Sequence, residues 1–329
     1  MSPYSSSTNT PSTYYSLSRS SSPGPASTLF TSGYLTSPTD TDKDNDFNIF
    51  PTVPDSGIPS DVDGPDLNTP DRWVRRDPRM VRLTGKHPFN AEARLDTLFA
   101  AGFLTPISLF YVRNHGAAPK IPTFSPSSSS PIDDVSSPPV QLHAHSTWQV
   151  QVHGLVKYEQ SFTVDDLKRL FKVVTLPITL VCAGNRRKEQ NTASKTLGFN
   201  WGAAGLSTAL FTGVYLADVL EYVRPLNRLL TAHISHKGND VAGQGHVIFE
   251  GADDDLPNGP YGTSQTLKWA IDKNKGMLLA WKMNGHDLEP DHGFPIRIVI
   301  PGQIGGRSVK WLRRIEVSAD ESQHHVSLP

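Results

Sequence analysis

The apolar run Leu176–Val181, with the glycine turn that follows it, constrains the fold more than any other stretch of the chain. An apolar run that contains Pro177 and is closed by Gly184 is typical of a short buried strand ending in a turn. Cys182, the only cysteine among the 329 residues, then lies at the end of that strand, with two arginines and a lysine close behind it. The sequence therefore predicts a thiol at the junction of a strand and a turn.

Two interpretations of Cys182 stay open at this point. A lone cysteine is by default a small buried hydrophobic residue, and the chemistry of the residue alone favours this interpretation. Nearby cations, however, favour the thiolate, which is the form that ligates metals or attacks electrophiles. A single cysteine also excludes an internal disulfide and fits a reducing compartment.

The composition divides the chain into ordered and low-complexity parts. Residues 1–72 are rich in Ser, Thr, Pro, Gly and Asp, so they cannot bury enough apolar surface to offset the entropy of ordering them. We expect a disordered tail there, an ordered domain over residues 73–318, and a short tail over 319–329. Residues 122–140 form a second Ser/Pro-rich stretch, which we interpret as a disordered insertion within the domain.

Short apolar segments separated by turns dominate the ordered part. The run 106–112 and the alternating run 148–152 predict strands, whereas the spacing of Leu95, Leu98 and Phe99 predicts an amphipathic helix closed by a glycine. Thr163 precedes two acidic residues and predicts a capped helix start. Many short strands with few helices indicate an α+β or mostly β domain and not a doubly wound sheet.

The overall charge excludes several classes of partner. The formal net charge is −1, which gives no general attraction to nucleic acid or to an acidic membrane surface. The sequence has neither an apolar run long enough for a membrane span nor a start typical of a secretory signal. We expect a soluble cytoplasmic protein that binds no nucleic acid.

The sequence lacks the common nucleotide-binding, α/β-hydrolase and zinc-binding motifs. The glycines around Gly302–Gly306 lack the G-x-G-x-x-G spacing, and the sequence has neither a phosphate-loop motif nor G-x-S-x-G. His143, His145 and His153 have no cysteine partners and no H-E-x-x-H spacing, so they do not indicate zinc.

Cationic and polar residues near turn glycines are the remaining signal. They are Arg113, His115, Arg186, Arg187, His292, Arg297, Arg307 and Lys310. Arginine forks suit phosphate and other oxyanions, although such residues could equally be solvated surface charges. The residues alone therefore support, at most, a pocket for a phosphorylated ligand with an anion site beside a thiolate.

Six strings carry a resemblance to a known family. They are HPFN at 87, YVRNHG at 111, LVCAGNRRKEQN at 180, GFNWGAAGLST at 198, PYGTS at 260 and DHGFPIRIVIPGQIGGRSVKWL at 291. From about residue 73 to 318 the chain resembles the molybdenum-cofactor domain of eukaryotic, fungal-type assimilatory nitrate reductases, within the sulfite oxidase superfamily. The resemblance implies that superfamily's molybdopterin-binding α+β fold, strand-rich with short helices.

The resemblance also implies roles for particular residues. Cys182 would be the thiolate ligand of molybdenum, beside the two sulfurs of the pterin dithiolene. Arg113 and Arg187 would orient the anionic substrate, and Trp201 would line its cavity. The residues implied to hold the molybdopterin are His87, Phe89, Asn90, Tyr111, Val112, Arg113, Asn114, His115, Asp255, His292, Arg297, Ser308, Val309 and Lys310.

By this resemblance the chain would reduce nitrate to nitrite by oxygen-atom transfer at molybdenum. Two alternatives are an inactive fragment that still binds the cofactor and a sulfite oxidase. The family's haem and FAD domains and its dimerisation domain would follow the matched region, and we find no haem-binding HPGG string before Pro329. We therefore expect a truncated member that needs an electron-donating haem domain or protein and lacks the family's usual homodimer interface.

Overall fold

Strand β6 (Val173–Val181) forms one edge of a five-stranded sheet and ends immediately before Cys182. This computed structural model describes residues 52–121, 144–226, 245–254 and 256–324. All of these residues belong to one compact unit, which runs from Leu35 to Pro329. The predicted strand is confirmed; it begins three residues before the apolar run, because Val173 to Thr175 pair with β7 in the same register.

The described strands form three sheets. The strands are β1 (Val81–Arg82), β2 (Asn90–Glu92), β3 (Val112–Arg113), β4 (Val150–Gly154), β5 (Gln160–Phe162), β6 (Val173–Val181), β7 (Leu206–Tyr215), β8 (His246–Gly251), β9 (Gly262–Thr266), β10 (Leu278–Met283), β11 (His286–Asp287), β12 (Arg297–Val299) and β13 (Leu312–Ser318). The first sheet has the order β1-β2-β3 and the second β11-β10-β7-β6, with β12 also paired to β10. The third has the order β5-β4-β13-β8-β9, in which only β4 and β13 run parallel.

The α-helices whose bounds lie within the described residues are short. They are α1 (Leu95–Ala100), α2 (Val164–Leu170), α3 (Arg187–Ala193), α4 (Leu216–Val223) and α5 (Leu267–Ala270). The predicted cap of α2 is confirmed, since the Thr163 hydroxyl accepts from the Asp166 backbone N–H at 3.1 Å. Within the described part of the chain, no helix is long and apolar enough to span a membrane. Sheets with few, short helices confirm the α+β prediction.

Two apolar cores hold these layers together. The larger core packs the third sheet against α2, α4 and the inner side of β10 and β12. The second core lies beside β6 and β7 and includes Phe110, Tyr111, Leu180 and Trp201, with Cys182 packed against it. The thiol therefore lies at the margin of a core and not inside it.

One local expectation was wrong, and a second was confirmed only for the helix itself. The run 106–112 forms a short 3-10 helix, Ile107–Leu109, before the two-residue strand β3, and its buried residues Ile107, Phe110 and Tyr111 pack into the second core. Helix α1 forms where its spacing predicts, but none of its residues is buried and Phe99 is 90% exposed. The spacing thus predicted the helix but not a buried face.

Order also begins earlier than the boundary at residue 72. A 3-10 helix spans Gly64–Asp66, and the side chains of Asp66 and Asp71 are fully buried in ion pairs with Arg76. These ion pairs, together with the packing of Ile58 against the second core, hold a segment whose composition predicts disorder. The predicted insertion 122–140, residues 1–51 and residues 325–329 lie outside the described residues.

Candidate functional site

A cleft that encloses about 530 Å³, part of it open to solvent, lies where β6 ends. It brings together predicted site residues from four separate stretches of the sequence. Those that line it are Tyr111, Arg113, His115, Cys182, His292, Arg297, Ser308, Val309 and Lys310. Residues more than a hundred positions apart thus meet around one thiol.

Backbone hydrogen bonds fix Cys182 at the cleft. Its N–H donates to the Gly205 carbonyl at 2.8 Å, and its carbonyl accepts from the Asn185 N–H at 2.9 Å. The Gly184 N–H donates to Sγ at 3.4 Å. Burial raises the pKa of the Cys182 thiol, and the Gly184 N–H and the nearby arginines offset this only in part. The cations act in the expected direction, but burial outweighs them.

Arg113 and Arg187, from two separate stretches of the sequence, both act on the Cys182 thiol. Arg113 lines the cleft with Cys182, whereas Arg187 does not line it; both guanidinium groups lower the pKa of the Cys182 thiol. Phe199 connects them: the Arg113 guanidinium lies 5.1 Å from the centre of its ring, and Arg187 Nη1 donates to its carbonyl at 3.4 Å. Two cations next to one thiol form a site that can bind a small anion.

Glycines make room for Arg187. A Cβ atom at either Gly184 or Gly198 would lie 2.8 Å from Arg187 Nη1, closer than real contacts allow. The residue before Arg187, Arg186, has a φ of 64°, which turns the chain into α3. Gly184, in the string around Cys182, and Gly198, in the string at 198, therefore leave room for this guanidinium in its present position.

Trp201 supports the cleft but does not line it. The indole is buried and meets the Tyr111 ring edge-on, with ring centroids 5.9 Å apart. The loop after it is held by the Glu92 carboxylate, which accepts from the Gly202 N–H at 2.6 Å and the Ala204 N–H at 3.2 Å. Glu92 was not among the predicted residues, since a carboxylate that binds backbone amides leaves no sequence motif.

Buried cations form the other side of the cleft. Arg297 donates to the His292 carbonyl at 2.9 Å and to the Ser308 carbonyl at 2.8 Å, while its buried Nε has no hydrogen-bond partner among the described residues. Burial lowers the pKa of Arg297 to about 10 and that of Lys310 to about 7. Cations that lose so much hydration are stabilised by an anionic ligand.

Two histidines near these cations are held neutral. Burial, together with the charges of Arg113 and Lys310, lowers the pKa of His115 to about 3. Burial likewise lowers the pKa of His292 to about 4, although Asp291 opposes it. Neutral imidazoles can accept as well as donate hydrogen bonds, so this side of the cleft offers both to a polar ligand.

The remaining described residues predicted to hold the cofactor do not line the cleft. Asn90 Oδ1 accepts from the Asn114 N–H at 2.9 Å and from Arg113 Nη1 at 3.2 Å, so Asn90 supports two residues near the cleft. Phe89 and Val112 belong to a separate apolar cluster. His87 lies 3.5 Å from an Asp71 carboxylate oxygen. Asp255 lies outside the described residues.

Six further residues line the cleft without having been predicted, namely Phe110, Leu180, Tyr261, Asp291, Gly305 and Gly306. The Tyr261 hydroxyl donates to the Gly306 carbonyl at 2.7 Å, and its ring lies against His115. Asp291, inside one of the quoted strings, also faces the cleft. The position of Tyr261 between Pro260 and Gly262 could have identified it, since an aromatic side chain in a tight turn often contacts a neighbouring segment.

A family match agrees with this geometry. Residues 136–326 match the family described as the oxidoreductase molybdopterin binding domain. The chain belongs to this family. Its cofactor is therefore Mo-molybdopterin, as the resemblance implied.

Individual relatives are close in sequence. A nitrate reductase [NADPH] of Mycosarcoma maydis is 56% identical over 287 residues, which cover 86% of this chain and 27% of the relative. One from Neurospora crassa is 48% identical, over 84% of this chain and 26% of the relative. Nitrate reductase [NADH] 1 of Oryza sativa subsp. japonica is 46% identical, over 80% and 25%. The chain thus spans about a quarter of the length of these relatives.

A solved structure shows a weaker likeness. The sulfane dehydrogenase SoxCD from Paracoccus pantotrophus aligns with a TM-score of 0.49 and 22% identity, over 68% of this chain and 45% of that one. This likeness is too slight to add to the family assignment.

The residues of this molybdopterin-binding domain fit the cofactor of its family. The unpartnered Nε of Arg297 and the desolvated ammonium of Lys310 suit the phosphate of a pterin, while the Cys182 thiolate suits a soft metal. Among the described residues, no three His, Cys, Asp or Glu side chains could hold a metal ion by themselves. Cys182 would give one sulfur, and the pterin dithiolene would give the others.

Proposed function

We propose that this chain reduces nitrate to nitrite. The observation that carries the proposal is the arrangement of Arg113 and Arg187, which both act on the Cys182 thiol and are joined through Phe199. Relatives that are 46% to 56% identical and are named nitrate reductases support the same substrate. When bound, the cofactor supplies two electrons and accepts one oxygen atom.

The chain's own residues bind and orient the anion. Arg113 and Arg187 offer N–H donors to nitrate oxygens, and their fixed charges stabilise negative charge as it moves onto the oxygen that leaves nitrogen. The Trp201 and Phe199 rings, 5.9 Å apart, support the Arg113 guanidinium, which lies over the Phe199 ring. Overall, nitrate takes up two electrons and two protons and yields nitrite and water.

A direct assay tests this proposal. The 329-residue chain is purified from a host that makes the cofactor, its molybdenum is counted, and nitrate reduction is measured with reduced viologen as electron donor. We expect molybdenum close to one atom per chain and formation of nitrite. A fully loaded chain that oxidises sulfite but leaves nitrate unchanged would be a sulfite oxidase, and one that turns over neither would be an inactive cofactor-binding fragment.

The whole-protein setting is part of the same proposal. We expect electrons to reach the molybdenum site from a haem domain or a separate haem protein. FAD would in turn supply electrons to the haem. A cytoplasmic location is also expected, as for the resembled family, whereas the family's homodimer would need the dimerisation domain that follows the matched region. Viologen replaces the electron donor in the assay, so the result tests the site alone.

A further inference from the structure

Arg76 lies close to the predicted boundary between the N-terminal tail and the domain, yet its side chain is among the most buried charged side chains of the described residues. Its guanidinium reaches three carboxylates. Nη1 lies 2.9 Å from Asp66 Oδ1 and Nη2 lies 2.5 Å from Asp71 Oδ2. Nε donates to Asp291 Oδ2 at 2.7 Å and Nη2 to Asp291 Oδ1 at 3.0 Å, which is a bidentate contact. These two hydrogen bonds fix the plane of the Asp291 carboxylate.

Asp291 connects this ion cluster to the cleft. Its Oδ1 accepts from Asn114 Nδ2 at 2.8 Å, and its carbonyl accepts from Lys310 Nζ at 2.8 Å. Lys310 Nζ also donates to Asn114 Oδ1. Arg76, Asp291, Asn114 and Lys310 therefore form one continuous network that ends at the cleft wall.

The charges in this network depend on each other. Burial alone would raise the pKa of Asp291, but Arg76 outweighs it and keeps that pKa below its usual value. Burial also lowers the pKa of Arg76, and Asp291 and Asp71 more than compensate. A buried carboxylate that loses such a partner is strongly destabilised and moves or takes up a proton.

We propose that Arg76 is a positioning residue of the cofactor pocket: its bidentate hold on Asp291 sets the positions of Asn114 and Lys310. Arg76, with Asp66 and Asp71, precedes the residues 136–326 that match the family. The N-terminal segment thus completes a pocket whose cofactor-facing residues lie further along the chain. The proposal rests on the cofactor of the family and not on nitrate as the substrate.

Arg82 is a matched control for Arg76. It also pairs with Asp66, at 2.7 Å, and its guanidinium also lies over the Phe89 ring, at 4.7 Å against 4.1 Å for Arg76. Its second carboxylate partner is Asp63, at 2.8 Å, in place of Asp291. The two arginines therefore share an aromatic ring and a carboxylate, and they differ in the link to the cleft.

The first measurement compares Arg76→Lys with Arg82→Lys in the full chain loaded with cofactor. A lysine keeps the positive charge among the carboxylates but cannot form the bidentate hydrogen bonds of the guanidinium. We expect Arg76→Lys to release its pterin about tenfold faster than wild type, the loss that follows from one charged hydrogen bond. Arg82→Lys should release it at the wild-type rate, even where both variants lower Tm equally. Equal release rates at equal Tm would overturn the proposal.

A second readout needs no cofactor. The side-chain amide resonances of Asn114, observed by NMR after selective labelling of asparagine, report the hydrogen bond to Asp291 directly. Arg76→Lys should shift these resonances and Arg82→Lys should leave them in place. A merely structural role would shift both or neither, and either result would contradict the proposed network.

A milder pair keeps the test decisive if Arg76→Lys does not fold. Asp71 bonds to Arg76 and Asp63 bonds to Arg82, so Asp71→Asn and Asp63→Asn each remove one charge from one arginine. We expect Asp71→Asn to release pterin several-fold faster than Asp63→Asn. The same release rate in both variants, with folding verified by circular dichroism, would exclude a path from Arg76 to the pocket.

Discussion

The imidazole of His115 stacks on the ring of Tyr261, with ring centroids 4.4 Å apart and planes 24° from parallel. His115 follows β3 and Tyr261 precedes β9, so the stack joins the first sheet to the third. The Tyr261 hydroxyl also donates to Gly306 in the 3-10 helix Gly305–Arg307. Three walls of the cleft therefore meet at one side chain.

Replacing Tyr261 tests this junction. Tyr261→Leu removes both the stack and the hydrogen bond, whereas Tyr261→Phe removes the hydrogen bond alone. We expect Tyr261→Leu to lower the free energy of unfolding by about 2 kcal/mol and Tyr261→Phe by about 1 kcal/mol. Denaturant unfolding of the cofactor-free chain measures both, and equal losses would show that the stack adds nothing.

Phe199 should control nitrate affinity through the Arg113 guanidinium on its ring. Phe199→Leu removes the cation–π contact, worth about 1 kcal/mol, so we expect KM for nitrate to rise roughly fivefold with a smaller change in kcat. Phe199→Tyr keeps an aromatic ring and serves as the control. Steady-state viologen assays on both variants decide the matter, and a KM unchanged in Phe199→Leu would contradict this role.

Lys310 should make the stability of the cofactor-free chain depend on pH. Its pKa is about 7 in the folded chain, because of burial, against 10.5 as the ordinary value. Between these values the folded chain binds fewer protons than the unfolded chain, so stability rises with pH, by at most about 1.4 kcal/mol per pH unit. Asp291, Arg297, Asp253 and Arg113 act on the same group.

The measurement is denaturant unfolding at pH 7 and pH 9 for the wild type and for Lys310→Met. The wild type should gain more stability over this interval than the variant, since other groups titrate alike in both. The same gain in both chains would show that Lys310 titrates as an exposed lysine does.

Cys182→Ser separates metal binding from folding. Sγ receives one backbone hydrogen bond, from Gly184 at 3.4 Å, and a hydroxyl can accept the same bond. We expect nitrate reduction and molybdenum content to fall sharply while the free energy of unfolding changes by less than about 1 kcal/mol. Metal analysis, pterin content and thermal unfolding test this, and a variant that fails to fold would show that Cys182 is mainly a packing residue.

The sequence predicted the strand before Cys182 from its apolar run, whereas most of the cleft-lining residues were predicted from the family resemblance and not from strand and turn patterns. It did not predict the exposure of Phe99 or the burial of Asp66 and Asp71. Spacing reports which residues share a helix face but not what covers that face. Composition likewise cannot anticipate that a polar segment finds a buried arginine such as Arg76, since the partner Asp291 is 215 residues away.

Gly184→Ala tests whether the glycines around Cys182 are needed for side-chain seating. A Cβ there would lie 2.5 Å from Trp201 Cδ1 and 2.8 Å from Arg187 Nη1, so either the indole or the guanidinium must move. We expect a loss of about 1–3 kcal/mol in the free energy of unfolding. We also expect a higher KM for nitrate, because Arg187 is displaced.

Gly64→Ala is the matched control, since a Cβ at Gly64 meets no atom within 4 Å. It should change neither stability nor KM beyond a few tenths of a kcal/mol. If Gly184→Ala behaves like Gly64→Ala, Arg187 is not held by the glycine turn. If Gly184→Ala lowers the free energy of unfolding but leaves KM for nitrate unchanged, the added methyl group displaces the Trp201 indole and not the Arg187 guanidinium.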